Sequence, residues 1–232
     1  MKTLLIIPAY NEEDCIVGLL TELKQYPQYE VIVINDCSAD KTEQLVREQG
    51  IRCISLPINL GLSGAVQTGF RYAVENDYDV CVQIDGDGQH IPEEIAKLVT
   101  EITNGKDIVI GSRFLHNSDK YEQTLLRKLG AKHISLMIRL FSGLKLTDPT
   151  SGMRAYSKVV FTELANATNE RPEPDTMMYF ARRGFAIQEV EVEMRERQGG
   201  ESYLTPLKAI RYMIENTLSF LYVFLRTKKE DK

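Results

Sequence analysis

The chain has 232 residues, of which 43% are hydrophobic, and its formal net charge at pH 7 is −5. This length and composition fit one globular domain with a sizeable core, and the acidic balance disfavours a general nucleic-acid binder. The four cysteines, Cys15, Cys37, Cys53 and Cys81, lack metal-ligand spacing, so we expect reduced thiols in a cytoplasmic protein. The short apolar start turns acidic at once, which predicts a strand rather than a signal peptide.

The first half of the sequence alternates between short apolar runs and amphipathic segments. The apolar runs predict strands at 3–9, 29–36, 51–57, 78–85 and 106–113. The segments between them predict helices at 12–26, 40–50, 62–76 and 92–105. Because Val- and Ile-rich strands alternate with helices, we predict an α/β fold of Rossmann type, with a mostly parallel central sheet and helices on both faces.

The alternation breaks after Arg113. Residues 121–143 predict a helix with basic residues among Leu, Ile, Met and Phe, and residues 147–157 are polar and turn-rich. The rest of the chain predicts two shorter helices, a strand and a long amphipathic helix, at 157–167, 176–184, 185–197 and from 204 onward. We therefore expect a main α/β domain of residues 1–203 and an amphipathic C-terminal segment of residues 204–232.

The stretch CVQIDGDGQHIPEE places two carboxylates where the fourth strand should end. Ligands bind at the carboxyl ends of strands in open parallel sheets. Asp85 and Asp87 repel each other unless something compensates, and a Mg²⁺ or Mn²⁺ ion completed by substrate phosphates would do so. Gln89 could supply a further oxygen. The alternative is a solvated turn in which Asp87 caps a helix.

Other metal and phosphate motifs do not fit this stretch. A calcium-binding EF-hand loop would need Gly and Glu where the chain has His90 and Ala96, and a zinc site would need more than the one histidine. The glycine run NLGLSGAVQTG lacks a phosphate-binding lysine and is typical of close helix–sheet packing. We therefore expect any bound nucleotide to be held through a metal on its diphosphate.

Six segments together carry a family resemblance. They are, in chain order, PAYNEE (8–13), INDCSADKT (34–42), DGDGQHIPEE (85–94), GSRF (111–114), TDPTSGMRAY (147–156) and RERQGGESYL (195–204). The chain resembles family 2 glycosyltransferases of the GT-A fold, in the polyprenyl-phosphate sugar synthase branch typified by dolichyl-phosphate-mannose synthase. The resemblance covers residues 3–204.

The resemblance implies a donor site and a metal site. The residues that would contact the nucleoside are Pro8, Tyr10, Glu12, Ile34 and Asp36. The D-x-D element of the family would be Asp85, Gly86 and Asp87, and Gln89 would complete the Mg²⁺ or Mn²⁺ site.

The resemblance also implies a phosphate side and an acceptor side. Arg113 and Arg197 would face phosphates, where a guanidinium fork suits oxygen anions. The acceptor side would be lined by Asp148, Ser151 and Arg154. Taken singly, Arg113 could be a surface strand-end residue, Asp148 a turn residue, and Arg197 part of a solvated ion-pair strand.

The implied reaction is inverting transfer of a sugar from a nucleotide diphosphate sugar. The metal and the two arginines would neutralise charge on the leaving diphosphate. A hydroxyl acceptor would need a general base, for which Asp148 is the candidate. A phosphate acceptor is already ionised and would instead need nearby cations. Those available are Arg127, Lys128, Lys132 and Arg154.

The sequence departs from the family pattern at two positions. Asn35 precedes Asp36 where the family often has two aspartates, and Tyr203 follows Ser202 where the dolichyl-type pattern has lysine. The second departure weakens a prediction of GDP-mannose as donor and leaves UDP-sugars open beside GDP-sugars.

Two predicted helical segments suggest a membrane surface. Residues 122–142 and 204–226 are apolar-striped and fringed by basic residues, as are helices that lie in a bilayer interface. They could equally pack in a homo-oligomer or against the core. No segment has the roughly 20 apolar residues of a spanning helix. We therefore expect a peripheral protein on the cytoplasmic face of the membrane, with a small membrane-protein partner as a further option.

Three hypotheses follow from these observations. The first is a membrane-peripheral glycosyltransferase that acts on polyprenyl phosphate or a lipid-linked glycan in cell-surface polysaccharide synthesis. The second is a soluble glycosyltransferase with another hydroxyl acceptor. The third is a non-catalytic subunit that binds nucleotide sugars.

Overall fold

The computed structural model describes residues 1–115, 125–167, 174–195 and 206–227. Its strands are β1 (Thr3–Ala9), β2 (Tyr29–Asn35), β3 (Arg52–Ser55), β4 (Val80–Gln83), β5 (Ile108–Ser112), β6 (Arg154–Ser157) and β7 (Ile187–Glu191). In the described residues these strands form one sheet, in the order β3-β2-β1-β4-β6-β5-β7. Neighbouring strands are parallel except where β6 pairs with β4 and β5. The predicted mostly parallel sheet is confirmed.

Helices cover both faces of this sheet. They are α1 (Ile16–Leu23), α2 (Thr42–Glu48), α3 (Gly61–Glu75), α4 (Ile95–Thr103), α5 (Leu125–Ser142), α6 (Lys158–Asn166), α7 (Pro174–Arg182) and α8 (Pro206–Arg226). Strand β1 is buried along its whole length, and its alternate residues enter two different cores. Ile6 packs with Phe70 of α3 on one face, while Ile7 packs with Leu20 of α1 on the other. Burial on both faces explains why β1 is a continuous apolar run.

Strand β6 corrects the interpretation of residues 147–157 as only polar and turn-rich. Its four residues run antiparallel between β4 and β5, and Ala155 and Tyr156 are fully buried. Four residues are too few to show a strand period, so the pairing of β6 depends on the neighbours that the fold brings to it. The predicted strand at 185–197 is also shorter, because β7 ends at Glu191.

The C-terminal helix α8 packs against α5 and α7. Phe220 is fully buried, and the rings of Phe141 and Phe224 lie 4.9 Å apart. Arg182 of α7 donates to Phe141 O at 2.8 Å and to Thr227 O at 2.8 and 3.3 Å, so it joins the ends of α5 and α8. Over the described ranges, no helix is both long enough and apolar enough to cross a bilayer.

Candidate functional site

The candidate site lies along one edge of the sheet. Strands β1, β2, β4 and β5 are all oriented alike, so their carboxyl ends meet at this edge, together with the start of antiparallel β6. Chain order reverses between β1 and β4, which makes their boundary the switch point where open sheets bind ligands. Four strand spacings separate β2 from β5, or about 19 Å, which is room for an extended ligand.

The nucleoside side of the predicted site lies at the ends of β1 and β2. Tyr10 is 44% exposed just beyond β1. Asp36 is buried, and its carboxylate accepts from the main-chain N–H groups of Leu60 at 2.7 Å and Gly61 at 2.8 Å. Asp36 therefore stabilises the positive N-terminal end of α3, whatever else it binds.

The other predicted nucleoside residues lie in the same strand ends. Pro8 and Ile34 are register partners in β1 and β2 and are buried in the sheet. The main-chain N–H of Glu12 donates a hydrogen bond to the Thr42 hydroxyl oxygen at 2.8 Å. A Cβ at Gly86 would lie 3.3 Å from Pro8 O. The carboxyl end of β1 therefore contacts the loop of residues 85–89, which we call the acidic loop.

Asp85 is held from two sides within the acidic loop. Its Oδ2 lies 3.2 Å from His90 Nε2, and a Cβ at Gly152 would overlap its carboxylate. Burial by itself would raise the pKa of Asp85, but the His90 hydrogen bond and the charges of His90, Arg154 and Arg113 outweigh it and lower that pKa. Asp85 is thus kept ionised at the switch point.

Asp87 and Gln89 organise the rest of the loop. Asp87 is only 8% exposed, and its Oδ1 accepts from Gln89 N at 3.1 Å. This bond closes a turn at residues 87–89. Gln89 O accepts from Arg195 N at 2.9 Å, and Gln89 Nε2 lies 3.4 Å from Arg195 O. Arg195 therefore lies beside Gln89.

The donor chemistry of this loop fits a hard divalent ion. Asp85, Asp87 and Gln89 offer carboxylate and amide oxygens, which Mg²⁺ and Mn²⁺ prefer. Across the described residues, no three His, Cys, Asp or Glu side chains converge into a complete cage. A bound ion would therefore take part of its coordination from the donor's phosphates and from water.

Arg113 and Asp148 form a bidentate ion pair in which the carboxylate is buried. Arg113 Nε donates to Asp148 Oδ2 at 2.6 Å and Nη2 donates to Oδ1 at 2.8 Å. The Arg113 main-chain N–H donates to the same carboxylate at 3.2 Å, and Asp148 is fully buried. The pair fixes the plane of the Arg113 guanidinium at the carboxyl end of β5.

Arg154 supports the turn that carries Asp148. It is 4% exposed, and its guanidinium donates to Ser151 O at 2.8 Å and Pro149 O at 2.9 Å. The Ser151 hydroxyl accepts from Met153 N at 3.2 Å. Ser151 and Arg154 are therefore both bound within the turn itself.

Some predicted residues fall beyond what can be placed. Arg197 lies outside the described residues, as do the side chains of Arg127 and Lys128. Lys132 is exposed on α5. The structure brings the other predicted site residues to one edge of the sheet.

Sequence reasoning missed two residues at this edge. Gly152 passes against Asp85, and Glu189 of β7 accepts from the main-chain N–H groups of Thr147 and Asp148. Gly152 carries no side chain and Glu189 lies in an ordinary strand pattern, so the sequence contained no signal for either.

A parallel sheet with an acidic pair at its switch point is the arrangement of a GT-A glycosyltransferase. Residues 4–165 match the model of the family described as "Glycosyl transferase family 2". The chain belongs to glycosyl transferase family 2 and is a glycosyltransferase.

Two relatives and one solved structure illustrate the similarity. An undecaprenyl-phosphate mannosyltransferase from Micrococcus luteus is 33% identical over 215 residues, which cover 88% of each chain. A UDP-N-acetylglucosamine–dolichyl-phosphate N-acetylglucosaminyltransferase from Methanococcus voltae is 34% identical over 172 residues, or 66% of this chain and 68% of that one. Glucosyl-3-phosphoglycerate synthase from Mycobacterium tuberculosis, crystallised with Mn²⁺, UDP-glucose and phosphoglyceric acid, superposes with a TM-score of 0.72 at 22% identity, covering 96% of this chain and 79% of that one. This structural similarity shows that the two proteins share a fold.

Proposed function

We propose that this protein transfers a sugar from a nucleotide diphosphate sugar to polyprenyl phosphate, with inversion and with Mg²⁺ or Mn²⁺ as cofactor. The two relatives above are named for transfer to undecaprenyl phosphate and dolichyl phosphate. Their names imply different sugars, so the donor stays open between UDP- and GDP-sugars. The product would be a lipid-linked sugar for cell-surface polysaccharide synthesis.

The observation that carries the choice of acceptor is the burial of Asp148 against Arg113. A general base must reach the hydroxyl that it deprotonates, but the Asp148 carboxylate is fully buried and accepts three N–H groups of Arg113. A phosphate acceptor is ionised at neutral pH and needs no base. The geometry therefore supports a phosphate acceptor over a hydroxyl acceptor, with Asp148 as a positioning residue for Arg113.

The donor would lie across the switch point. Tyr10 and Asp36 would bind the nucleoside, and Asp85, Asp87 and Gln89 would hold the metal. The bound ion would supply a Lewis acid beside the leaving diphosphate. Arg113, fixed by Asp148, would add positive charge where the phosphates of donor and acceptor approach each other.

Helices α5 and α8 would contact the membrane surface. Exposed leucines on α5 are Leu129, Leu136 and Leu140, and the exposed apolar residues of α8 are Leu218, Leu221, Tyr222 and Leu225. The two helices carry seven Lys or Arg and one Glu, which gives them a net charge of +6. Because the whole chain has a net charge of −5, its remaining residues carry a net charge of −11. Basic helices with exposed leucines on an acidic protein suit an anionic lipid surface. We propose that residues 206–226 dock there while packed on the catalytic domain.

The test offers each donor with two matched acceptors. The purified chain is incubated with radiolabelled UDP-, GDP- or dTDP-sugars, Mg²⁺ or Mn²⁺, and either a short polyprenyl phosphate or the corresponding polyprenol. We expect label transfer from one donor to the phosphate and not to the alcohol, and loss of transfer with EDTA. Transfer to the alcohol, or to phosphoglyceric acid in a third arm, would contradict the proposed acceptor. Absence of transfer from every donor would contradict the proposed function.

A further inference from the structure

Glu189 binds the turn that carries Asp148. Glu189 lies in β7, paired with Ile110 of β5. Its Oε1 accepts from Asp148 N at 2.7 Å and from Thr147 N at 2.9 Å. Its Oε2 accepts from the same Thr147 N–H at 2.8 Å and from the Thr147 hydroxyl at 3.0 Å. One carboxylate therefore holds two consecutive main-chain N–H groups and a hydroxyl.

The same turn holds Arg113. Asp148 accepts the Nε and Nη2 donors of Arg113, and the Thr147 hydroxyl lies 2.7 Å from the hydroxyl of Ser112, which precedes Arg113. Arg154 fixes the following carbonyl groups from the other side. The chain of contacts from Glu189 through residues 147–148 to the Arg113 guanidinium is therefore continuous.

The placement of Glu189 is unfavourable for its own ionisation. Burial raises the pKa of Glu189, the hydrogen bonds from Asp148 and Thr147 lower it, and the charge of Asp148 raises it. Two carboxylates in neighbouring positions weaken a structure unless a cation and donors compensate them.

We propose that Glu189 is a positioning residue for sugar transfer. By fixing the main chain at Thr147 and Asp148, it aims the Asp148 carboxylate, and Asp148 in turn holds the Arg113 guanidinium toward the substrate phosphates. This inference rests on the proposed function, because it assigns Arg113 to an anionic substrate. Glu189 itself touches neither substrate nor metal.

The decisive variant is Glu189→Gln. Glutamine has the same shape, but the NH₂ group that replaces Oε2 cannot accept from the Thr147 N–H or the Thr147 hydroxyl, so only the contacts of Oε1 remain. We expect kcat for the phosphate acceptor to fall about 10- to 100-fold, as for a small misplacement of a binding group, and the affinity for UDP or GDP with Mn²⁺, measured by calorimetry, to fall as well, because Arg113 is assigned to the same phosphates. The matched control is Glu191→Gln on the same strand, where the side chain is exposed, and it should keep wild-type kcat.

A double-mutant cycle separates positioning from general stability. If Glu189 acts through Arg113, Glu189→Gln should have little further effect on kcat in an Arg113→Lys background. Multiplicative losses, or a Glu189→Gln enzyme with more than half of the wild-type kcat, would overturn the proposal. Should Glu189→Gln fail to fold, the shorter carboxylate of Glu189→Asp enters the same cycle under the same criteria.

A second measurement does not depend on the reaction. The ¹⁵N–¹H resonance of Arg113 Nε, assigned by its loss in Arg113→Lys, reports the hydrogen bond to Asp148. We expect this signal to shift or broaden in Glu189→Gln and to stay in place in Glu191→Gln. An unchanged signal in Glu189→Gln would refute the positioning role. An inactive wild-type enzyme with the expected shift would contradict the proposed function alone.

Discussion

At the scale of single residues, the acidic loop depends on partners that are distant in sequence. Asp85 and Asp87 were predicted from their position at the end of an apolar run. Their surroundings come from elsewhere: Gly152 lies against Asp85, and Arg195 pairs with Gln89. A pattern of carboxylates thus predicts a site, but the contacts that orient each carboxylate depend on the order of strands in the sheet.

The first prediction concerns Gly152. In Gly152→Ala the new methyl group would overlap the Asp85 carboxylate, so we expect a loss of about 1–3 kcal/mol in the free energy of unfolding. We also expect weaker Mn²⁺-dependent binding of nucleoside diphosphate. The matched control is Gly130→Ala in α5, where a Cβ would meet nothing within 4 Å. It should raise stability by about 0.5–1 kcal/mol, as for alanine in a helix. Urea unfolding and calorimetry check both, and equal effects of the two substitutions would contradict this account of Asp85.

The second prediction concerns Asp87. Asp87→Asn keeps the shape of the side chain but removes the charge that the proposed metal needs. We expect transfer activity to fall at least about 100-fold, which equals about 2.7 kcal/mol of lost transition-state stabilisation. The control is Asp14→Asn, at an exposed position, which should leave activity unchanged. Wild-type activity in Asp87→Asn would remove Asp87 from the metal site.

At the scale of secondary-structure elements, packing decided what local pattern could not. The segment that forms β6 has the composition of a turn, yet it forms a strand because it lies between β4 and β5 and pairs with both. Helix α8 has an amphipathic pattern that fits a membrane, an oligomer or a core equally well. Phe220 and Phe224 pack on the protein's own helices, so one face of α8 is already covered.

The third prediction tests how α8 is attached. Arg182→Ala removes three hydrogen bonds to main-chain carbonyls at the ends of α5 and α8, and a guanidinium that lies 4.3 Å from the Phe224 ring centroid. We expect a loss of about 2–3 kcal/mol in the free energy of unfolding. Arg47→Ala removes an exposed i,i+4 pair with Glu43 and should cost only about 0.3–0.5 kcal/mol. Similar losses in urea unfolding for both variants would show that Arg182 does not join the helices.

At the scale of the whole molecule, charge is unevenly distributed. The protein is acidic overall, whereas α5 and α8 together are strongly basic. Leu129, Leu136 and Leu140 are exposed on α5, and the exposed side chains of α8 between residues 218 and 225 are apolar. We propose that this separation of charge orients the molecule toward an anionic surface.

The fourth prediction follows from that orientation. The chain should co-sediment with vesicles that contain anionic lipid, less with purely zwitterionic vesicles, and less as salt concentration rises. Leu136→Glu on α5 should weaken binding about tenfold or more, because it replaces a leucine worth about 1.5–3 kcal/mol when buried. Ile58→Glu changes a similarly exposed apolar residue away from these helices. This variant should bind vesicles like the wild-type protein. Equal binding by both variants, or equal binding to both kinds of vesicle, would contradict the proposed face.

The sequence by itself determined the class of fold, the family and the place of the acidic pair. These depend on local patterns: apolar runs buried on both faces, helix periodicity, and carboxylates where a parallel strand ends. Only the tertiary structure decided that β6 is a strand, that Asp148 pairs with Arg113, that Glu189 binds the turn of residues 147–148, and that Gly152 lies against Asp85. The reason is that each of these contacts joins residues about 35 or more positions apart, and no local pattern contains the strand order that brings them together.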